Sequence, residues 1–323
     1  MSFLALFLAV LVTIAAVRRP RERRGARGTL RAIAPYAAVV AAAPLLVYLW
    51  YFHRPQPPPK REALFRGVTY ERDVRTSPRP IVAHVVRIDL REPSISFLVT
   101  PGDPEGAGFR GATTSQFLRE NHVQLAINGD FFLPWWSEGL FDFYPHVGEP
   151  TDALGASVSN GVARGWHVTP YSALVFSPEG KVSIVRIEDA SGRLPPVAQA
   201  VSGKQLLVVD GRKTAETAAN TQARLPHPRT AAALDRSGRT LILFTIDGRQ
   251  PGYSQGATLD DLADIILEHG GWRALNLDGG GSTALVIDDG DGGARQLNIP
   301  IHTRIPWRER PVANHLGVRA EPL

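Results

Sequence analysis

The sequence predicts an α+β domain with a mixed, mainly antiparallel sheet core and a few packed helices, preceded by N-terminal transmembrane helices. Short apolar runs of strand length outnumber helical patterns across residues 63–323. The helical patterns are scattered and do not alternate regularly with strands, which favours α+β over a βαβ winding. Two uncharged apolar runs near the N terminus predict the transmembrane helices.

The two apolar runs cover residues 2–17 and 32–52, and the segment between them, 18–31, holds seven arginines and one acid. By the positive-inside rule this segment stays in the cytoplasm, so the second helix runs outward. We therefore predict a membrane anchor over 1–52 in the cytoplasmic (inner) membrane, with residues after about 52 on the extracytoplasmic side. For 2–17, a buried or interfacial helix is the alternative. A cleaved signal peptide is less favoured, because the run lacks a basic n-region and a small-residue cleavage site.

A proline-rich linker is predicted over 53–62, because four prolines between His53 and Lys60 favour an extended spacer. The domain itself covers 63–323. Residues 1–61 carry ten Lys or Arg and one acid (net +9), whereas the remaining chain carries 26 basic and 30 acidic residues (net −4). A mildly acidic domain gives no reason to expect a nucleic-acid partner. The chain has no cysteine, which excludes thiolate nucleophiles and disulfides.

Periodicity predicts the elements of the domain. Alternating residues predict strands within 67–100, and a short helix at 113–122 precedes a buried strand at 123–127. The clearest helix covers 259–269, with Thr258 as its N-cap. Further strands are predicted at 172–176, 182–187, 206–209, 230–234, 241–246 and 274–276.

Three strands run into polar and glycine residues, at 126–132, 245–249 and 274–282. Strand ends are rigid, and glycine lets a backbone N–H approach a ligand closely. We expect these ends to converge on one cleft. Its candidate residues are Asn128, Asp130, Asp247, Arg249 and Asp278.

The triplet Gly279–Gly281 exceeds what a turn needs, which predicts close approach to an oxyanion. The Asp-Gly pairs at 247–248 and 210–211 are equally compatible with simple turns, and 289–293 predicts a hairpin loop. The triplet lacks a P-loop lysine, the chain has no Gly-x-Ser-x-Gly elbow, and its nine histidines show no zinc spacing.

Several motifs together resemble the phosphodiester glycosidase family, in order and over about residues 80–320. They are His227-Pro-Arg-Thr-Ala231, Asp247-Gly-Arg-Gln250, Ser254-x-Gly256, residues 276–283 and Arg310-Pro-Val-Ala-Asn314. The resemblance implies hydrolysis of a sugar-1-phosphodiester, which releases the sugar and exposes a phosphomonoester. The conjugate acid of the leaving phosphate has a low pKa, so the phosphate departs with little help from a general acid. This chemistry therefore needs a group that binds the phosphate and a carboxylate at the anomeric centre more than it needs a strong acid.

On that basis we expect Asp278 to act at the sugar as base or nucleophile. Arg229 is expected to bind the phosphate, helped by the N–H groups of Gly279, Gly280 and Gly281 and by the hydroxyl of Ser282. Asn128 and Asp247 would orient the substrate or hold the glycine segment, and Asp130 is a further acid/base candidate. The other expected substrate-binding residues are Gly129, Thr230, Arg249, Ser254 and Asn314.

Residues 133–167 look like an insertion rich in aromatics, which include Trp135, Trp136, Phe141, Phe143 and Tyr144. They are expected either to form a sugar-stacking wall or lid, or to pack as a satellite core.

Two other classes of function stay open. One is a non-catalytic envelope module that binds glycan in the same cleft. The other is a metal-dependent phosphodiesterase in which Asp130, Asp247 and Asp278 hold a divalent ion. No cofactor is expected for the glycosidase, and a divalent cation is not excluded. The expected partners are a carbohydrate phosphodiester and the membrane.

Overall fold

The computed structural model describes residues 26–106, 108–165, 170–188, 194 and 196–323. The chain divides into a unit that ends at Pro55 and a compact unit over Gln56–Leu323. In the first unit, helix α1 covers Ala26–His53 and contains the apolar run 32–52. In the described part of the chain, no helix is both long and apolar enough to span a bilayer. The predicted segment 2–17 lies outside the described residues, and the anchor stays a prediction.

The second unit begins earlier than predicted, because its first strand starts at Lys60, inside the predicted linker 53–62. Its helices are α2 (Thr114–Asn121), α3 (Thr221–Arg224) and α4 (Leu259–Glu268), with 3-10 turns at Ala215–Ala218 and Gly280–Ser282. Its strands are β1 (Lys60–Phe65), β2 (Val68–Arg75), β3 (Ile81–Asp89), β4 (Ser96–Val99), β5 (Phe109–Arg110), β6 (Leu125–Asn128), β7 (Phe132–Leu133), β8 (Trp136–Ser137), β9 (Phe143–Tyr144), β10 (Pro150–Ala153), β11 (Ser157–Ser159), β12 (Val162–Arg164), β13 (Tyr171–Phe176), β14 (Val182–Ile187), β15 (Gln199–Gly203), β16 (Leu206–Val209), β17 (Arg212–Lys213), β18 (Arg229–Asp235), β19 (Thr240–Ile246), β20 (Gly271–Asn276), β21 (Leu285–Asp288), β22 (Ala294–Gln296), β23 (Ile301–His302), β24 (Ile305–Pro306) and β25 (His315–Arg319).

Three sheets make up most of this unit. The main sheet has eight strands in the order β1-β2-β3-β19-β18-β20-β16-β17. The second sheet has the order β22-β21-β6-β25-β4, and the third has the order β12-β11-β15-β13-β14. The strand pairs of these sheets are antiparallel, so the predicted α+β class with a mainly antiparallel core is confirmed.

The main sheet is covered on both faces, which explains why β19 is a continuous apolar run. Leu241 and Leu243 point into one core, shared with the second sheet. Ile242 and Phe244 point into the other, which α4 covers. Because successive side chains of a strand face opposite sides, both faces need apolar residues when both are buried.

Local signals explain most element ends. Capping boxes begin α2, at Thr113 with Gln116, and α4, at Thr258 with Asp261. Asp210-Gly211 forms the β16–β17 turn, and residues 289–293 form the predicted loop between β21 and β22. The short strands within 133–167 were not predicted, because two-residue strands carry no periodic signal.

Candidate active site

The glycine loop, defined as Asp278–Thr283, connects β20 of the main sheet to β21 of the second sheet. Its backbone is bonded to two other segments. The Asp278 N–H donates to Gly129 O (3.0 Å), just after β6, and the Gly280 N–H donates to Pro228 O (2.8 Å), just before β18. The strand ends that carry Asn128 and Asp278 therefore meet, as the sequence predicts.

Close contacts account for the three consecutive glycines. A β-carbon on Gly281 would lie 2.8 Å from Nη2 of Arg310, and one on Gly280 would lie 2.9 Å from Nη2 of Arg249. A β-carbon on Gly279 would lie 2.7 Å from the carbonyl oxygen of Pro228. Gly280 also has a φ of +65°, which disfavours other residues. The triplet therefore lets two guanidinium groups and a carbonyl approach the loop.

This arrangement differs from the predicted backbone cradle for an oxyanion. The Gly279 N–H donates to the Asp278 carboxylate, and the Gly280 N–H is used by Pro228. The Ser282 N–H donates to Gly279 O (3.2 Å). Most N–H groups of the loop are thus already engaged, so the positive charge at this site comes from side chains.

Asp278 is half-buried where the loop begins. Burial raises the pKa of its carboxyl, and the Arg310 charge, hydrogen bonds from Ser282 and the Gly279 N–H, and the Arg249 charge offset part of that rise. Asp278 is therefore a carboxyl group beside two guanidinium groups, with part of its surface open to solvent. These properties suit an acid/base or nucleophilic group.

Asp130 is buried behind the loop. Its oxygens accept hydrogen bonds from the N–H groups of Phe131 (2.8 Å) and Gly155 (2.7 Å). Burial, with a smaller contribution from the Asp278 charge, nevertheless raises the pKa of Asp130 to about 7. Its own N–H donates to Oδ1 of Asn314 (2.8 Å). Asp130 can therefore hold a proton near neutral pH.

Gly129 and Asn314 pack against each other behind the glycine loop. The Gly129 N–H donates to Asn314 O (2.9 Å), and a β-carbon on Gly129 would overlap the Asn314 side chain. Asn314 is fully buried. The contacts of both residues are with the protein, so they support the loop and Asp130.

The Asn128 side chain spans both ends of the glycine loop. Its Nδ2 donates to Asp278 O (2.7 Å), while its Oδ1 accepts from the Thr230 hydroxyl (2.9 Å) and the Ala284 N–H (3.2 Å). Asn128 and Thr230 are completely buried. Of the two roles predicted for Asn128, these contacts match holding the glycine segment.

Asp247 is buried and bonded to four protein groups. Oδ2 contacts Nε2 of His84 (3.0 Å) and accepts from the Tyr253 hydroxyl (3.2 Å). Oδ1 accepts from the Ile299 N–H (2.8 Å) and Nδ2 of Asn298 (3.3 Å). Asn298 Nδ2 also donates to Thr283 O (3.2 Å), at the end of the glycine loop. Asp247 therefore holds the loop from a distance.

Ser254 fixes the backbone of Asp247. Its hydroxyl donates to Asp247 O (2.6 Å) and accepts from the Val82 N–H (3.0 Å), and its side chain is fully buried. We call Asn128, Thr230, Asp247 and Ser254 the brace. The described residues contain no group of three or more acids and histidines placed to bind a metal, so Asp130, Asp247 and Asp278 do not form such a group.

Arg229 is placed differently from the predicted phosphate clamp. Its Nε donates to Ala257 O (2.9 Å), and its Nη2 donates to Gln222 O and Leu225 O (2.8 Å each). Burial lowers its pKa to about 10, and the Arg249 charge adds to that effect. These bonds hold the segment before β18 and favour a positioning role for Arg229.

Whereas Arg229 meets the glycine loop through its backbone and Cδ beside Gly279, Arg249 and Arg310 approach the loop with their guanidinium groups. Nη1 of Arg310 donates to the Ser282 hydroxyl (3.3 Å), and its Nε donates to Nδ1 of His302 (3.3 Å). Arg249 is exposed and has a φ of +60°, a backbone conformation that residues other than glycine seldom adopt. We call Asp278, Arg249, Arg310 and Ser282 the anion site.

Arg310 and His302 are the residues that the sequence prediction missed. Arg310 begins the motif at 310–314, but its contact with Ser282 joins residues 28 positions apart. Burial and then the nearby arginine charges lower the pKa of His302 to about 3, so it is neutral above that pH. Arg310 could have been identified from the sequence because it belongs to the motif at 310–314. His302 belongs to none of the motifs, so the sequence did not indicate its position beside Arg310.

The aromatic segment, defined as residues 133–147, borders the anion site. The Arg310 guanidinium lies 5.0 Å from the ring centroid of Trp135, and the Phe143 ring meets His302 edge-on at 4.7 Å. Trp135 is half exposed and Phe141 is 82% exposed, whereas Phe143 is buried. The segment therefore contains both an exposed wall and a small packed core.

The chain is similar to known proteins in both sequence and fold. A sequence model of the family described as phosphodiester glycosidase matches residues 121–319. N-acetylglucosamine-1-phosphodiester alpha-N-acetylglucosaminidase from Bos taurus is 29% identical over 227 residues, which are 65% of this chain and 40% of that protein. The Homo sapiens protein of the same name is 28% identical over 226 residues, 65% of this chain and 41% of its own length. The match thus spans well under half of each mammalian protein.

Solved structures share the fold. The zebrafish N-acetylglucosamine-1-phosphodiester alpha-N-acetylglucosaminidase catalytic domain, auto-inhibited by its pro-peptide, has a TM-score of 0.55 at 22% identity. That match covers 83% of this chain and 86% of the zebrafish one. A hypothetical protein from Synechocystis also has a TM-score of 0.55, at 18% identity, over 82% of this chain and 64% of that one.

Proposed function

Because the chain belongs to the phosphodiester glycosidase family, we propose that it hydrolyses the glycosidic C–O bond of a sugar-1-phosphodiester. The products are a free sugar and a phosphomonoester. The observation that carries the proposal is the anion site, where a half-buried carboxyl stands beside two guanidinium groups. The names of the mammalian relatives suggest N-acetylglucosamine as the sugar.

The phosphate binds to Arg249 and Arg310, with the Ser282 hydroxyl as a further donor. Arginine suits this task because its planar N–H groups match two phosphate oxygens at once. Arg310 is held by His302 and Ser282 before substrate arrives, so little side-chain freedom is lost on binding. The guanidinium groups also stabilise the negative charge that develops on the leaving phosphate.

Asp278 acts at the anomeric carbon, either as base for a water molecule or as nucleophile. The backbone N–H of Asp278 donates to Gly129 O, and its backbone carbonyl accepts from Asn128 Nδ2. These two bonds fix the Asp278 carboxyl relative to the bound phosphate. Asp130, with its pKa of about 7, can take up or release a proton near neutral pH and acts as the second acid/base group, near Asp278. The Asp278 charge contributes to the raised pKa of Asp130, so ionisation of Asp278 favours the protonated form of Asp130.

We also propose that the enzyme works outside the cytoplasm, on a glycan or glycoconjugate of the cell envelope. This location rests on the sequence of residues 18–52, the arginine-rich segment followed by an apolar run. Fusions of a reporter that is active only outside the cytoplasm test it. The reporter is expected to be active when it is fused after residue 323. Activity in the same fusion of a reporter that works only in the cytoplasm would contradict the proposed orientation.

The enzymatic proposal is tested with the purified protein and a methyl ester of N-acetylglucosamine-1-phosphate. Released sugar is measured with and without a chelator, and the Asp278→Asn variant is the matched control. Sugar release by the parent protein alone, in both conditions, supports the glycosidase. Tight binding without release would indicate a binding module.

A further inference from the structure

The positive charge around the anion site exceeds what one phosphodiester needs. A phosphodiester carries one negative charge, so with an ionised Asp278 it balances Arg249 and Arg310. Two further arginines are close by: Arg304 stands two residues after His302, which contacts Arg310, and Arg308 donates to the Thr303 hydroxyl between them. In line with this, the Arg304 charge lowers the pKa of Arg249, and the Arg308 charge lowers the pKa of His302. Among the described residues, none of these four arginines lies within 4.0 Å of a carboxylate.

Arg304 sits at the tip of a strained hairpin. β23 and β24 pair antiparallel, and the two turn residues between them, Thr303 and Arg304, have φ values of 50° and 61°. Such a turn favours Asn or Gly, because other side chains crowd the backbone at positive φ. Left-handed residues other than glycine concentrate at functional sites. The exposed Arg304 at this tip therefore adopts a backbone conformation that an arginine side chain disfavours.

Arg308 is held beside that tip. Its Nη1 donates to the Thr303 hydroxyl (2.8 Å) and to Leu140 O (2.7 Å), and its guanidinium lies 4.6 Å from the ring centroid of Phe143. The acid next to it in sequence, Glu309, is used elsewhere: its carboxylate accepts from the Ser115 N–H (2.8 Å) and from Gln296 Nε2 (2.8 Å). Arg308 is thus positioned but not neutralised.

There is also room for a ligand group. A cavity of about 390 Å³ lies beside Arg308 and is lined in addition by Phe143, His146 and Glu309, whose carboxylate is engaged by the Ser115 N–H and Gln296 Nε2. Pockets that bind small molecules begin at about 300 Å³. Phe143 lines this cavity and its ring also contacts His302, which in turn holds Arg310. The cavity therefore adjoins the side of the site where the phosphate binds.

We propose that Arg304 and Arg308 bind a second anionic group of the substrate, on the leaving-group side of the scissile phosphodiester. The inference rests on the proposed function and narrows its substrate class to a sugar-1-phosphodiester whose leaving group carries a further phosphate or carboxylate. Both anions accept hydrogen bonds from a guanidinium, so the experiment separates the two sources.

Three esters of N-acetylglucosamine-1-phosphate test the proposal: a propyl ester, and propyl esters that end in a phosphate or a carboxylate. We expect kcat/KM to be about tenfold higher for at least one charged ester at low salt, and this preference to shrink as salt screens the charges. Arg304→Gln should bring the charged esters close to the propyl ester. Arg212→Gln removes an exposed arginine next to another hairpin turn and should keep the preference.

A preference for both charged esters means that either anion is accepted, and a preference for one identifies it. Equal kcat/KM for all three esters, or an equal loss for all three in Arg304→Gln, would overturn the inference while leaving the glycosidase intact. If no ester is hydrolysed, the proposed function fails. In that case, the binding of the same esters to Asp278→Asn is measured by calorimetry, with and without Arg304→Gln. Tighter binding of a charged ester than of the propyl ester, lost in Arg304→Gln, would support the second anion site, and equal binding of all three would overturn it.

Discussion

The brace and the anion site both contact or include the glycine loop, and each contains one aspartate and one serine. In the brace, Asn128 and Asp247 are buried, and each of their side-chain oxygens accepts a hydrogen bond from a protein donor. In the anion site, Asp278 is half-buried, and Arg249 has no carboxylate partner in the described part of the chain. The two aspartates therefore differ in their surroundings and not in residue type: Asp247 is buried among four protein partners, whereas Asp278 is partly open to solvent.

Replacing the aspartate of each region should give the largest changes, in kcat for Asp278 and in unfolding free energy for Asp247. Asp278→Asn should lower kcat by about 10³-fold or more, because it removes the carboxylate at the anomeric centre. It should leave the thermal midpoint unchanged or higher, because burial disfavours the Asp278 charge. Asp247→Asn should instead cost about 2–4 kcal/mol of unfolding free energy, because it breaks a buried network. Kinetics and thermal unfolding of both variants provide the measurement.

Arginine variants should divide in the same way, with a smaller effect. Arg249→Gln and Arg310→Gln are expected to lower kcat/KM by about 10²-fold each, because each removes a phosphate contact that strengthens in the transition state. Arg229→Gln should mainly lower stability, because it removes the three hydrogen bonds by which the buried guanidinium holds the carbonyl groups of residues 222, 225 and 257. A catalytic loss for Arg229→Gln with full stability would restore the predicted clamp role.

The Asp130 carboxyl should give the fold a pH dependence of its own. Its pKa is about 7 in the folded protein, well above the ordinary value of 3.8, so the folded state binds the proton more tightly. This stabilisation is complete below about pH 4 and is lost as pH rises through about 7. The unfolding free energy of the parent, relative to Asp130→Asn, should therefore fall by about 4 kcal/mol between pH 4 and pH 8.

Urea unfolding of both proteins from pH 4 to pH 8 measures the difference. The histidines with lowered pKa values are common to both proteins and cancel. A difference that does not change with pH would mean that Asp130 is ionised throughout.

The smallest effect is expected at the aromatic segment. Trp135→Ala removes the exposed ring beside Arg310 and should raise KM about threefold, with kcat nearly unchanged. Phe143→Ala removes a buried ring and should lower stability as well. Similar results for both variants would mean that the segment has a single role.

The sequence predicted the fold class and most long elements, because periodicity and caps act locally. It identified α4 with its N-cap Thr258 and the convergence of the strand ends that carry Asn128 and Asp278. The split between brace and anion site was not predictable, because Asp247 and Asp278 are both followed by glycine and differ only in distant partners. The same limit applies to Arg229, whose phosphate role stays a prediction: its guanidinium donates to the carbonyls of residues 222, 225 and 257, and no local pattern reveals these partners.

The position of the bond that breaks is the most direct test of the account. Hydrolysis of the N-acetylglucosamine-1-phosphate methyl ester is carried out in isotopically labelled water, and both products are examined by mass spectrometry. If Asp278 acts at the anomeric carbon, the heavy oxygen appears in the sugar and the phosphomonoester stays unlabelled. Heavy oxygen in the phosphomonoester would show P–O cleavage, which contradicts the glycosidase and favours a phosphodiesterase.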